Sequence, residues 1–246
     1  MNARIDPILI TTVCIIESSD SSQRDRLKLF FAKLTNGKPA EYYGQHIKHL
    51  CILATSDYTE VNTILATCTG VENLALWAPY VDLFRNPHSG RNLRRLCINL
   101  GQCSFAPRQK PNFYHACFAN LTHLHLYDED DDWVTYLGWE NLSSLTHLAF
   151  ACASSPEKTT SLIKRLPAVR YVALGHYRWD ESRKYSDATI NKSPHIREAW
   201  GVWIVFLSEI PAHDWERGAR GEGDFWDLVE EEVDRRLEGI ESMKQP

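Results

Sequence analysis

Three histidines recur in a setting that could do chemistry. His123 and His125 lie in Leu121-Thr122-His123-Leu124-His125-Leu126, and His147 lies in the near copy Leu145-Thr146-His147-Leu148. An imidazole titrates near neutral pH, so a side chain of this type can move a proton or recognise a polar partner. Directly after the first segment runs Tyr127-Asp128-Glu129-Asp130-Asp131-Asp132-Trp133. A carboxylate there could orient a neighbouring histidine or attract Mg²⁺, and Asp128 is the member nearest the histidines. A solvated acidic turn is the plainer reading of the run. A metal on the three imidazoles with Asp128 is a further alternative, but a flat sheet spreads its ligands too widely for an easy tetrahedron. No metal ligand set and no cofactor is assigned.

The element that must position these groups is a repeat. The pattern apolar-x-x-apolar-x-apolar occurs at Ile47/Leu50/Ile52, Val71/Leu74/Leu76, Leu93/Leu96/Ile98, Leu121/Leu124/Leu126, Leu145/Leu148/Phe150 and Val169/Val172/Leu174, with successive starts 24, 22, 28, 24 and 24 residues apart. A period in the twenties with this spacing is that of leucine-rich repeats. The expected fold is α/β, a short leucine-rich-repeat solenoid with a parallel sheet on its concave face and a cap at each end. The expected bounds are one domain: an N-terminal cap over 1–44, repeats over 45–177, a C-terminal cap over 178–240 and a frayed tail over 241–246.

Side chains alternate along a strand, so the residues between the leucines share the concave face. Aligning the strands gives a row His49, Asn73, Arg95, His123, His147, Tyr171 and a second row Cys51, Ala75, Cys97, His125, Ala149, Ala173. A third row, at the strand C-termini, is Leu53, Trp77, Asn99, Tyr127, Ala151 and Gly175. His123 and His147 then become neighbours about 4.8 Å apart. The leading expectation is recognition of a protein or peptide by this face, with His49, Trp77, Arg95, Tyr127, Tyr171 and His176 in the contact surface beside the three histidines. The alternative is an enzyme acting on a small molecule, with His123, His125 or His147 as acid or base and Asp128 assisting. Trp77, Tyr80 and Trp133 are expected on an exposed rim, where aromatic residues anchor partners.

Flanking elements follow from periodicity. Pro7–Ile16 reads as a strand, and a helix from Ser21 or Ser22 carries Leu27, Phe30, Phe31 and Leu34 on one face before Asn36-Gly37 ends it. Asp57 with Glu60 opens a helix with Val61, Ile64, Leu65 and Cys68 inward, and Ser155-Pro156 opens another with Leu162, Ile163 and Leu166 inward. Residues 101–118, with two prolines, read as a loop bulging from the array. Folded over the concave face as a lid, that loop would favour the enzyme reading. Gly201–Leu207 reads as a buried strand, 214–223 as a charged, Gly-rich turn, and Asp224 caps a last helix that Gly239 ends.

Composition narrows the function classes. The 246 residues are 43% hydrophobic and 24% charged, with a formal net charge of −5. Such a balance gives no sequence-wide basic field for nucleic acid or anionic lipid, so neither nucleic acid nor membrane is expected as a partner. No apolar run reaches the roughly 20 residues of a membrane helix. The seven cysteines form no Cys-x-x-Cys pair. Their odd number and apolar settings fit a reducing compartment, so a cytoplasmic location is expected, with the nucleus as the alternative. No phosphate-binding loop, dinucleotide fingerprint, His-Glu-x-x-His or Gly-x-Ser-x-Gly occurs.

The repeat array, together with Asp214-Trp215-Glu216-Arg217-Gly218-Ala219-Arg220-Gly221 and Asp224-Phe225-Trp226, resembles the F-box/leucine-rich-repeat-like proteins of mushroom-forming fungi. The resemblance covers roughly His46 to Ile240, the repeat portion without an evident F-box. It implies the repeat fold; an adaptor role in ubiquitin ligation through a partner-supplied F-box is a third functional possibility.

Overall fold

The computed structural model describes residues 11–16, 21–53, 58–78, 90–103, 111–127, 131–151, 156–175, 202–207 and 214–242. Eight strands form one parallel sheet in sequential order: β1 (Thr12–Ile16), β2 (His49–Leu53), β3 (Asn73–Trp77), β4 (Arg95–Ile98), β5 (His123–Leu126), β6 (His147–Phe150), β7 (Tyr171–Gly175) and β8 (Trp203–Leu207). Each strand lies beside the one before it, so the chain advances by one strand per repeat, a topology compatible with a solenoid.

Strand period and repeat period together fix the register. One row across the sheet is Thr12, His49, Asn73, Arg95, His123, His147, Tyr171 and Trp203. Two residues along lies Cys14, Cys51, Ala75, Cys97, His125, Ala149, Ala173 and Val205. The six central positions of both rows are those that the spacing predicts. Of the third expected row, Leu53, Trp77 and Gly175 lie within strands, while Asn99, Tyr127 and Ala151 stand one residue beyond strand ends.

The leucines between these rows point to the opposite face. There Leu50, Leu74, Leu96, Leu124, Leu148 and Val172 form one continuous core with the return segments. Helix α1 (Ser21–Asn36) contributes Leu27 and Leu34, and α2 (Ala40–His46) contributes Tyr43. Helix α3 (Tyr58–Thr67) contributes Val61, Ile64 and Leu65, followed by Cys68, and α4 (Pro156–Ile163) contributes Leu162 and Ile163, followed by Leu166. These stripes follow the predicted spacing. The short helix α2 is an addition to the sequence reading.

Two further helices follow β8. Helix α5 (Asp214–Ala219) lies where a turn was expected, and α6 (Phe225–Ser242) continues past Gly239, the expected stop. Gly221 and Gly223 take φ of 77° and 86°, left-handed values that let the chain reverse between α5 and α6. The two helices lie on the histidine face. Ala149, Ala173, Trp203, Val205 and Leu207 of the sheet join Phe225, Trp226, Val229 and Val233 of α6 in a second core cluster. Trp215 of α5 packs on a third, built around Cys51, Ala75, Cys97 and Tyr127. The sheet is therefore covered on both faces, as parallel sheets generally are.

Several expectations change. Trp133, expected on an exposed rim, is buried and lies 4.3 Å centroid to centroid from Phe150. Leu237, on the last helix, is exposed. Within 101–118, the described residues pack against the leucine core: Phe113 and Phe118 meet at 5.1 Å, and Phe113 meets Trp139 at 4.5 Å. Those residues lie on the face opposite the histidines and form no lid over them. Tyr80, Asp128 and His176 lie outside the described residues. Among the described residues, no helix is long and apolar enough to cross a membrane.

Candidate functional site

The rows at β4–β7 and helix α6 build one site between them. His123 and His147, side by side on adjacent strands, stack with centroids 4.0 Å apart and planes 6° apart. Tyr171 continues the stack at 4.6 Å from His147. Parallel strands place equivalent side chains at one repeat distance, so three planar rings in consecutive repeats stack without any special turn. Trp226 caps the stack from α6, with its ring edge-on to His123 at 5.4 Å and to His147 at 5.3 Å. Small residues make this approach possible. Ala149 and Ala173 carry only a methyl group where a larger side chain would hold the helix away.

Polar contacts fix helices α5 and α6 to the sheet at four points. Arg95 donates to Asp224 at 2.8 Å, and His147 Nε2 lies 2.8 Å from Glu230 Oε1. Trp215 Nε1 donates to Asn73 at 2.7 Å, and Arg236 donates to the Ile204 carbonyl at 3.4 Å. Asp224 also starts α6: its side chain accepts from the Trp226 amide at 2.9 Å, while Asp227 accepts from the Asp224 amide at 2.6 Å. This is a reciprocal cap on the helix N-terminus.

Burial decides the electrostatics. Burial first, then the neighbouring His147 and Arg95 charges, push His123 down to about 2. Burial pushes His125 down to about 3 and, with Arg95, His147 down to about 4. His49 is lowered as well, chiefly by burial. Asp224 and Glu230 are raised by burial. The histidines are thus neutral at physiological pH. A general acid or base works best with a pKa near the operating pH, and His123, His125 and His147 lie far below it.

Space points the same way. Arg95, Cys97, His123, His125, Trp215 and Trp226 line a cavity of about 30 Å³. That volume holds water, whereas small-molecule pockets run from roughly 300 Å³ upward.

The proposed contact residues divide. His123, His125, His147 and Tyr127 are brought together, with His125 and Tyr127 rings 4.3 Å apart, Phe225 at 5.2 Å from His125, and Cys97 Sγ 3.1 Å from His125 Nδ1. Trp77 packs edge-on to Tyr127 at 5.2 Å. Arg95, His49 and Tyr171 remain partly exposed along the strand N-terminal edge. Sequence reasoning passed over Asp224 as more than a cap, and it missed Glu230 and the role of Trp226. A usable signal was present: Asp227, Glu230, Glu231 and Asp234 form an acidic stripe at helical spacing, matched in charge to the row containing Arg95.

Among the described residues, one group could hold a metal ion: His123, His147 and Glu230, whose ligand atoms lie within 4.8 Å of one another. The chain matches no protein-family model, no curated protein and no solved structure.

Proposed function

We propose that this chain is a leucine-rich-repeat module that recognises a protein or peptide on its histidine face. The chain's own C-terminal helix is the resident occupant of that face. In this reading β1 with α1 forms the N-terminal cap, and the chain works in the cytoplasm or nucleus as a relative of the fungal F-box/leucine-rich-repeat-like proteins.

One observation carries it. Helix α6 is seated on the face as a helical ligand is seated in a groove, with Phe225, Trp226, Val229 and Val233 inward and Asp224 and Glu230 meeting Arg95 and His147. The face therefore accepts an amphipathic, acidic helix. The partly exposed edge His49, Arg95, His123 and Tyr171 offers a partner its first foothold beside α6. Neutral, buried histidines and a water-sized cavity give the small-molecule enzyme reading no comparable support.

A benzophenone amino acid placed at Tyr171 tests the reading in extract from the source cells. Thr63, exposed on the outer side of α3, takes the control position. A discrete protein adduct formed at Tyr171 and absent at Thr63 is expected. The same adducts at both positions, or none at either, would sink it.

A further inference from the structure

The two stacked histidines and the carboxylate above them, which help seat α6 in the recognition reading, also form a group of three metal-ligating side chains. We propose that His123 Nε2, His147 Nε2 and the Glu230 carboxylate bind a divalent transition-metal ion, Zn²⁺ in the first instance. Such an ion would fasten helix α6 to strands β5 and β6.

Geometry supports this in three ways. First, the three ligand atoms lie within 4.8 Å of one another. Two ligands of a tetrahedral Zn²⁺, each about 2.1 Å from the ion, are about 3.4 Å apart. Reaching that spacing would take a turn of the two rings out of their stack, with the His147–Glu230 pair, 2.8 Å apart, opening slightly to admit the ion.

Second, His123 Nε2 is buried and has no hydrogen-bond partner among the described residues. An unsatisfied buried ring nitrogen is costly, and a metal ion would remove the cost.

Third, the outer nitrogens are already held. Thr122 Oγ1 lies 2.9 Å from His123 Nδ1, and Thr146 Oγ1 lies 2.7 Å from His147 Nδ1. A hydroxyl can accept as well as donate, so each threonine can take the Nδ1 proton and leave Nε2 its lone pair. This is the usual support behind a metal-bound histidine. The repeated Thr-His pair supplies it twice.

The donor set selects the ion. Two imidazoles and one carboxylate suit Zn²⁺ and its transition-metal neighbours, and suit Mg²⁺ or Ca²⁺ poorly because those prefer oxygen. The nearby Arg95 charge opposes a cation, but its pairing with Asp224 at 2.8 Å reduces that opposition. A flat sheet alone could not gather such ligands. The third comes from the helix above it, 83 residues from His147 in sequence. The proposal stands whether or not the face also recognises a partner.

The test uses the full chain, stripped with chelator and dialysed against Zn²⁺, with Co²⁺ as a visible-absorption probe. A single ion per chain is expected, with four-coordinate Co²⁺ bands. Glu230→Gln, a near-isosteric change on a half-exposed side chain, should weaken binding roughly tenfold or more, the size seen when metal-site partners are removed. His46→Gln should leave binding unchanged. Zn²⁺ should also raise the melting temperature and slow amide exchange in α6, and Glu230→Gln should shrink both effects at the same Zn²⁺ concentration. No stoichiometric ion in the wild type, or an ion kept at full affinity by Glu230→Gln, would overturn the proposal.

Discussion

Arg95 and Asp224 lie 129 residues apart in sequence and 2.8 Å apart in space. The pair joins the middle of the sheet to the capping residue of the helix that covers it. Its two members are not equivalent. Arg95 is about a third exposed, whereas the Asp224 side chain is almost wholly enclosed. Asp224 also holds the Trp226 amide at 2.9 Å.

That asymmetry sets the first prediction. Arg95→Ala leaves a buried carboxylate without its cation but keeps the cap, and should cost about 1–3 kcal/mol. Asp224→Ala loses the pair and the cap together and should cost about 2–4 kcal/mol. Asp224→Asn keeps a capping oxygen and should fall between them. Urea unfolding of the three variants measures the order. Equal costs for Arg95→Ala and Asp224→Ala would mean that stranding the buried Asp224 carboxylate costs as much as losing the pair and the cap together.

Trp226 carries the second prediction. It is buried against the paired histidine rings on one side and Phe225 on the other, at 4.4 Å from the latter. Trp226→Ala should cost about 3–5 kcal/mol, as a large aromatic removed from a packed interior does. Amide exchange should rise in α6 first, since that helix loses its main apolar anchor while the leucine core on the other face stays intact. A loss under about 1 kcal/mol would mean that α6 is not packed on the histidines in solution.

The sheet was legible in the sequence and its cover was not. Strand alternation and a period near 24 residues constrain each other, so Arg95, His123 and His147 could be aligned with no structure in hand. Nothing local says where α6 goes. Phe225, Val229 and Val233 give it an apolar edge, but such an edge serves equally on the end of an array or across a face. The deciding signals were long-range: small residues at Ala149 and Ala173 on the sheet, and an acidic stripe through Glu230 on the helix. Trp133 was misplaced for a related reason. A tryptophan after an acidic run looks exposed by its neighbours' polarity, yet its own area drives it inward against Phe150.

The third prediction concerns alkaline pH. Burial pushes the Cys68 thiol up to about 12 and the Cys117 thiol, despite an opposing backbone hydrogen bond, also up to about 12. An acid whose folded value is raised stays protonated in the native chain while the unfolded chain loses its proton. Stability is therefore full below the ordinary thiol value of 9.0 and falls as pH rises from there toward 12. Each thiol contributes about 1.4 kcal/mol of loss between pH 8 and pH 10, so the two together remove about 3 kcal/mol. Cys51 and Cys97, raised in the same direction, add to the fall. Urea midpoints at pH 8 and pH 10 under reducing conditions read the effect, and Cys117→Ala should shrink it by about 1.4 kcal/mol. A midpoint that does not move between the two pH values would show that these thiols are open to solvent, which would remove the leucine core as the place where Cys68 and Cys117 are buried.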